Sequence, residues 1–435
     1  MTRRARTRGG GREIDIAIDS LGGRGDGVGH FGARQVFVPF VLPGEHVRVR
    51  ITGERGDAWR GEAVEVLEAA PERVAGPCPH FGHCGGCSLQ HLADAAYRDW
   101  QRGQVLQALQ RRGLGDVPVA PLVSIPPGTR RRAVLAAVKN GGGVRLGFHE
   151  ARSHAVVDVT QCLILHPRLM MLLAPLRAAL ETLLNKGERA AVTLTLSDSG
   201  MDVLVCTPRA PALAAREWLA AFAEQQDLAR VSWRPAGVAS ELKTEPITER
   251  RRPVVRFSGV PVAVPPGAFL QPTAEGEAAL VEAVLERLPE AAARVADLYA
   301  GCGPFSFALA GRAQVYAAEG DAAALDALET AARQSGLAGR IEAACRDLAR
   351  RPLTADELAR FDCVVFDPPR VGARPQAEQL AASRVPAAVA VSCNPQTFAR
   401  DARILVDGGF DLVEVAPLDQ FPWSAHLELV ALFRR

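Results

Sequence analysis

The sequence predicts a multidomain chain: a small N-terminal β-barrel, a small α+β central domain and a C-terminal doubly wound α/β sheet. Three observations carry this prediction. Short alternating apolar strands, separated by Gly- and Pro-containing turns, run from Ile14 to about Glu68. From Ala268 onward, strands and helices alternate, which is the pattern of a mostly parallel sheet with helices on its faces. The chain has 435 residues, more than one core accommodates, and a length suited to roughly two to four domains.

Each region can be justified in order. Residues 1–12 carry Arg3, Arg4, Arg6, Arg8 and Arg12 with three consecutive glycines, which reads as a flexible basic arm able to touch phosphates or to stay solvated. The barrel is expected over 13–70. Its strands are IDIAI, VFVPFVL, PGEHVRVRIT and GEAVEVLE, with LGGRGDGVGHFG read as a glycine-rich turn. The central domain is expected over 71–265. It holds the segment CPHFGHCGGC, a helix from Tyr97, strands at RRAVLAAVK, VRLGFH and VTLTLS, and helices around 167–186 and 211–225. The basic triplets Arg130–Arg132 and Arg250–Arg252 read as solvated turns more readily than as contacts.

The last domain is expected over 266–435. ARVADL, QVYAAE, RIEAAC, DCVVFD and AVAVSC are its strands, with helices at PFSFALA and AAALDALETAARQSG. GFDLVEVAPL and HLELVALF then follow with only a loop between them. A terminal hairpin on a parallel sheet fits the class I methyltransferase variant of this fold better than a dinucleotide dehydrogenase.

Composition limits the function classes. Apolar content of 48% and charged content of 23% are ordinary for a globular protein, and a net charge of +2 provides no global basic field. The apolar run LMMLLAPL is interrupted by Pro175 and too short to span a bilayer. No apolar stretch backs the basic N-terminal residues as in a secretory signal, so the expected compartment is the cytoplasm, where thiols stay reduced. A dense cysteine segment there favours a metal or a reaction over a disulfide, with zinc held in part by His80 or His83 as one option.

The chemistry is expected at strand ends. DLYAGCGP places a glycine turn after the first strand of the α/β domain but departs from G-x-G-x-x-G, which favours a cofactor without a pyrophosphate. Glu319 ends the next strand, where a carboxylate can accept ribose hydroxyls. Asp347 follows the third, within reach of an adenine amino group. This ordered set suggests S-adenosylmethionine. FDPPR and SCNP follow the fourth and fifth strands, so Cys393 faces the cleft. A thiolate adding to C6 of uracil makes C5 nucleophilic toward a methyl sulfonium, and a base must then remove the C5 proton. His426 and Glu428 lie two apart on the last strand and so share a face. Glu428 is the candidate base. Cys206, Cys302, Cys345 and Cys363 read as buried apolar residues.

SCNP, DPPR, the DLYAGCG turn and the terminal H-x-E together resemble the RNA (uracil-5-)-methyltransferases, over nearly the whole chain. The resemblance implies that 13–70 is a TRAM domain, an OB-like RNA-binding barrel, and that 266–435 is an S-adenosylmethionine-dependent methyltransferase domain. It implies Cys393 as nucleophile and Glu428 as base, with Gln271, Tyr299, Glu319, Asp347 and Asp367 lining the cofactor site. Cys78, Cys84 and Cys87, spaced C-x5-C-x2-C and joined by Cys162, are similar to the [4Fe-4S] ligands of the 23S ribosomal RNA branch, the RumA/RlmD type. The implied substrate is a single-stranded or loop region of 23S rRNA. A monomer is expected, with no membrane and no obligate protein partner. The alternatives are a tRNA uridine-5-methyltransferase and a non-catalytic RNA-binding or ribosome-assembly factor. Three positions depart from the family pattern: Thr273, Pro304 and Trp423.

Overall fold

The computed structural model describes residues 12–237 and 244–435. The expected basic arm therefore lies outside the described residues except for Arg12, whose guanidinium sits 4.7 Å from the centre of the Phe31 ring. The chain divides into two compact units. One contains the residues up to Gln101 together with Trp423–Ala425, and the other contains Arg102–Pro422 and His426–Arg435.

In the first unit, β1 (Glu13–Leu21), β2 (Gly27–Phe31), β3 (Arg34–Val38), β4 (His46–Arg55) and β5 (Ala58–Glu68) close a barrel in the order β1-β2-β3-β5-β4. Period-2 alternation turns Ile14, Ile16 and Ile18 inward against Val36, Val38, Val47 and Val49. The outer face carries ion pairs, including Arg48 with Asp15 and Arg50 with Glu13. Two expectations need correction here. Half of LGGRGDGVGHFG is strand β2, not turn, and VFVPFVL leaves the strand after Val38. The glycines of β2 mimic a turn in composition, but a Cβ on Gly29 would lie 2.3 Å from the Ala17 carbonyl oxygen, so strand pairing itself requires glycine there.

The cysteine segment follows as consecutive turns. Phe81 donates its N–H to the Cys78 carbonyl at 3.0 Å, and Cys84 donates to that of His80 at 2.9 Å. Ser88 and Leu89 donate to the Trp423 carbonyl at 2.9 and 3.0 Å. Helix α1 (Asp94–Gln110) begins in this unit, where Tyr97 and Gln101 both donate to the Ser424 carbonyl.

In the second unit, β6 (Val123–Ser124) precedes β7 (Arg132–Asn140), β8 (Gly143–Gly147), α2 (Pro167–Leu183), β9 (Arg189–Ser197), β10 (Gly200–Thr207), α3 (Leu213–Gln225), β11 (Arg230–Pro235) and β12 (Glu245–Glu249). These build a six-stranded sheet in the order β12-β11-β10-β9-β7-β8, antiparallel except for β10 with β11. Helix α2 buries Leu169, Leu172, Leu173, Leu176 and Leu180, a three-to-four spacing, and it runs through Pro175 instead of breaking there.

A hairpin of β13 (Val254–Phe257) and β14 (Val260–Ala263) leads to α4 (Ala274–Arg287). Next come β15 (Arg294–Leu298), α5 (Pro304–Leu309), β16 (Gln314–Glu319), α6 (Ala322–Gln334), β17 (Ile341–Cys345), α7 (Ala355–Leu358) and β18 (Cys363–Phe366). The chain ends with α8 (Arg374–Ala382), β19 (Ala387–Ser392), α9 (Pro395–Asp407), β20 (Asp411–Asp419) and β21 (Glu428–Arg434). Their sheet runs β17-β16-β15-β18-β19-β21-β20-β6. β21 is antiparallel to both β19 and β20, which is the expected terminal hairpin. CVVF and AAVAVS are buried along their full length because apolar layers cover both faces of the sheet. The strand order reverses between β15 and β18, and in such sheets the crevice beyond the strand ends at that point takes the ligand.

Candidate functional site

The glycine turn leaves β15 with Tyr299, Gly301 and Gly303 all at positive φ, 65°, 55° and 95°. A Cβ at Gly303 would meet the Phe307 ring at 2.8 Å and Leu328 at 2.9 Å, so this glycine serves internal packing. A Cβ at Gly301 would meet nothing within 4 Å. Gly301 is therefore the position where the backbone faces open space. Pro304 stands at the start of α5, where its missing N–H costs nothing and its fixed φ suits the helix.

Glu319 at the end of β16 braces this turn. One carboxylate oxygen accepts from Gly301 N–H at 2.8 Å, and the other from Gly320 and Asp321 N–H at 2.6 and 2.7 Å. A carboxylate offers about four acceptor sites, so about one remains here, fewer than two ribose hydroxyls would use. Tyr299 is half-buried, and its hydroxyl is pushed up to about 12 by burial and by the charges of Asp401, Asp347 and Glu319. Asp347 is exposed after β17, accepting from Ala349 and Arg350 N–H at 3.1 and 3.3 Å. Beneath the turn, Asp297 is fully buried and accepts from the Ser306 hydroxyl. Burial, with the Asp367 and Glu319 charges, pushes it up to about 7.

The second half of the site lies beyond β18, β19 and the start of β21. Cys393 follows β19 and is half-buried. Burial, then the charges of Glu428 and Asp367, push its thiol up to about 12, and Arg370 opposes them. Asn394 caps α9 by accepting from Gln396 N–H at 3.0 Å, and its side-chain amide donates to the Arg370 carbonyl at 3.2 Å. Glu428 is 4% exposed, which rules out an ordinary solvent-facing strand residue. Burial, and the Asp367 charge, hold its pKa well above the carboxylate range. Burial raises Asp367 to about 7.

Two buried amides link the carboxylates. Gln271 donates to Asp367 at 3.4 Å, while its oxygen accepts from the Gln420 amide at 2.7 Å. The same Gln420 nitrogen lies 3.3 Å from Glu428 Oε1. Gln271, Asp367, Cys393 and Glu428 thus form one group. Glu319 and Tyr299 form another around the glycine turn.

Several expectations change. His426 and Glu428 do not share a strand face, because β21 begins only at Glu428; His426 is exposed and lies 3.2 Å from Arg370. Arg131 and Arg132 are no solvated turn. Arg131 pairs with Glu277 at 2.7 Å and donates to the Gln271 carbonyl at 3.2 Å. Arg132 holds the carbonyls of Ala268 and Gly267. Both therefore pin the stretch that carries Gln271. Thr273 caps α4, accepting from Gly276 N–H at 2.9 Å. Cys345 is exposed, whereas Cys206, Cys302 and Cys363 are buried. Gln420 escaped sequence reasoning altogether. Its only signal is the polar pair Asp419-Gln420 closing an apolar strand.

Cys78, Cys84, Cys87 and Cys162 are all half-buried, and Gly86 N–H donates to the Cys84 sulfur at 3.4 Å. Such N–H···S bonds suit thiolate ligands of iron–sulfur clusters. Among the described residues, no group of three or more His, Cys, Asp or Glu side chains is gathered closely enough to hold a metal ion. Among the same residues, no helix is long and apolar enough to cross a membrane.

Comparison with known proteins points to one family. Residues 341–435 match the tRNA (Uracil-5-)-methyltransferase family model, and residues 8–64 match the TRAM domain. The chain is 37% identical to the 23S rRNA (uracil(1939)-C(5))-methyltransferase RlmD of Alkalilimnicola ehrlichii, over 97% of this chain and 96% of that one. It belongs to the RNA (uracil-5-)-methyltransferase family. An uncharacterized RNA methyltransferase of Caulobacter vibrioides is 44% identical over 97% of this chain and all of its own. The fold of this RNA (uracil-5-)-methyltransferase is similar to that of the tRNA (uracil-54, C5)-methyltransferase of Pyrococcus abyssi, crystallised with S-adenosyl-L-homocysteine. That match has a TM-score of 0.74 at 24% identity and covers 97% of this chain and all of the other.

Proposed function

We propose that this RNA (uracil-5-)-methyltransferase methylates C5 of a uridine in a single-stranded or loop region of 23S rRNA through a covalent adduct at Cys393. The observation that carries the mechanism is the grouping of Cys393, Glu428 and Asp367 beyond the ends of β18 and β19. S-adenosylmethionine, when bound, supplies the methyl group as an electrophilic sulfonium. The open backbone at Gly301 and the half-buried Tyr299 beside Glu319 suit its nucleoside portion.

The Cys393 thiol passes its proton to water, its sulfur adds to C6, and the electron pair of the C5–C6 double bond moves onto the C4 carbonyl oxygen. The enolate carbon C5 then takes the methyl group. Glu428 accepts the C5 proton, the double bond re-forms, and the Cys393 thiolate leaves. Raised carboxylates suit this order of events. A base poised near neutrality takes a carbon-bound proton and later returns it to water. Asp367, held by Gln271, is placed to accept a hydrogen bond from the uracil ring.

The choice of 23S rRNA over tRNA is supported by the relative named for that substrate at 37% identity, and by the four cysteines. Cys78, Cys84, Cys87 and Cys162 would hold a [4Fe-4S] cluster with no part in methyl transfer. The deciding experiment is mass-spectrometric mapping of 5-methyluridine in 23S rRNA and tRNA from strains with and without the protein. Loss of one 23S site is expected, and loss confined to tRNA would overturn the assignment. Incubation with 5-fluorouridine-substituted RNA and S-adenosylmethionine should trap a covalent complex, because fluorine cannot leave as a proton does.

A further inference from the structure

We propose that Gln420 is the positioning residue of the proton-abstracting base: it donates to ionised Glu428 and presents a different atom to each protonation state. The proposal rests on the Cys393–Glu428 mechanism above. Gln420 is 1% exposed, and its nitrogen serves two acceptors, Gln271 Oε1 at 2.7 Å and Glu428 Oε1 at 3.3 Å. Its orientation is set from a distance. Asp367 accepts from the Gln271 nitrogen, which turns the Gln271 oxygen toward Gln420 and commits the Gln420 nitrogen to the Glu428 side. Two carboxylates that repel each other are thereby joined through two amides, each carboxylate accepting.

The other end of the Gln420 amide carries the second half of the inference. Its oxygen is buried and has no hydrogen-bond partner among the described residues. An unpaired buried acceptor is costly and is retained where it has a use. Once Glu428 has taken the C5 proton it becomes a donor, and the matching acceptor is this oxygen. Concerted rotation of the Gln420 and Gln271 amides about their terminal torsions, each a broad two-fold well, exchanges nitrogen for oxygen at both without moving the chain, the Gln271 oxygen then turning to Asp367 in its protonated form. Gln420 thus stabilises the base before proton transfer and the acid after it.

The groups facing Glu428 are Asp367 and Arg370 after β18 and Cys393 after β19. His426 on the same segment turns instead to Arg370, and Glu277 on α4 pairs with Arg131. The Gln420 hydrogen bond, followed by the Arg370 charge, lowers the proton affinity of Glu428. Removing that donor favours protonated Glu428, so proton abstraction then requires a higher pH.

The test uses the full-length protein, S-adenosylmethionine and an unmodified 23S rRNA transcript, with Gln420→Met as the variant of matching length and Gln420→Leu as a shorter one, both lacking the donor. Rapid-quench measurements separate adduct formation from product release. Both variants should still form the Cys393 adduct. Release at neutral pH should fall about tenfold, and the midpoint of its pH profile should rise by about one unit. Gln420→Asn, which keeps the amide but not the reach, should behave like the leucine variant. Thermal unfolding identifies any variant that fails to fold, and the folded ones decide. Normal release with an unmoved midpoint in a folded variant overturns the role of Gln420. Absence of any adduct in the wild-type protein overturns the mechanism itself, whatever the variants do.

Discussion

Cysteine occurs in two contrasting settings in this protein. Between Cys78 and Cys87, thiols are dense, lie on consecutive turns and are half-buried. At the end of β19 a single thiol, Cys393, stands beside Glu428 and Asp367 in the α/β domain. The dense region has the stronger sequence signal, but the sparse one has the chemical surroundings. Reactivity follows from what a thiol can reach, and a strand end in an open α/β sheet brings acid, base and ligand to one place. Cys363 sharpens the point. It too is pushed up to about 12, but by burial at the beginning of β18, remote from the strand ends where ligands bind.

The largest expected effect breaks this contrast if it fails. Cys393→Ala should lower methylation on the order of 10^4-fold or more and abolish the 5-fluorouridine adduct. Cys363→Ala should retain the adduct, although it loses some stability through a small cavity. Gel-shift analysis under denaturing conditions reads both.

Glu428→Gln should allow methyl transfer but slow release about 10^2- to 10^4-fold, so protein accumulates covalently bound to methylated RNA. The same substitution has a stability consequence. Asp297, Asp367 and Glu428 all have folded-state pKa values above their unfolded values. The native state then binds more protons than the unfolded chain, so their contribution to stability is fully present below the ordinary carboxylate range. It falls as pH rises toward the raised values, about 7 for Asp297. Glu428→Gln should flatten part of that loss and stabilise the protein at pH 8 by on the order of 1–3 kcal/mol. Thermal unfolding across pH checks the sign.

The smallest effect concerns the dense region. Anaerobically purified protein should contain iron and sulfide that Cys162→Ser loses, while the Cys393 adduct still forms. Loss of the adduct in folded, iron-free protein would place the cysteine segment within the chemistry and remove the contrast.

Much of this was legible in sequence because local rules govern it. The order of strands and helices from Arg294 onward follows hydrophobic periodicity, and the terminal hairpin follows from two strands with only a loop between. Where composition misled, a second physical cause overrode it. Gly29 reads as turn yet packs as strand, since only glycine fits against the Ala17 carbonyl. Arg131 reads as solvated yet is buried, because Glu277, 146 residues later, neutralises it.

The sequence by itself determined the N-terminal barrel, the strand and helix order of the α/β sheet and the glycine turn, and it nominated a nucleophile and a base. These rest on spacing along the chain, which neighbouring residues enforce. Only the tertiary structure decided that Gln420 lies between Gln271 and Glu428, that Glu428 is buried while His426 is exposed, and that Arg131 anchors the Gln271 segment. Those contacts join residues as many as 149 apart. Their energies depend on which buried groups find partners once the sheet is assembled, and no local pattern encodes that.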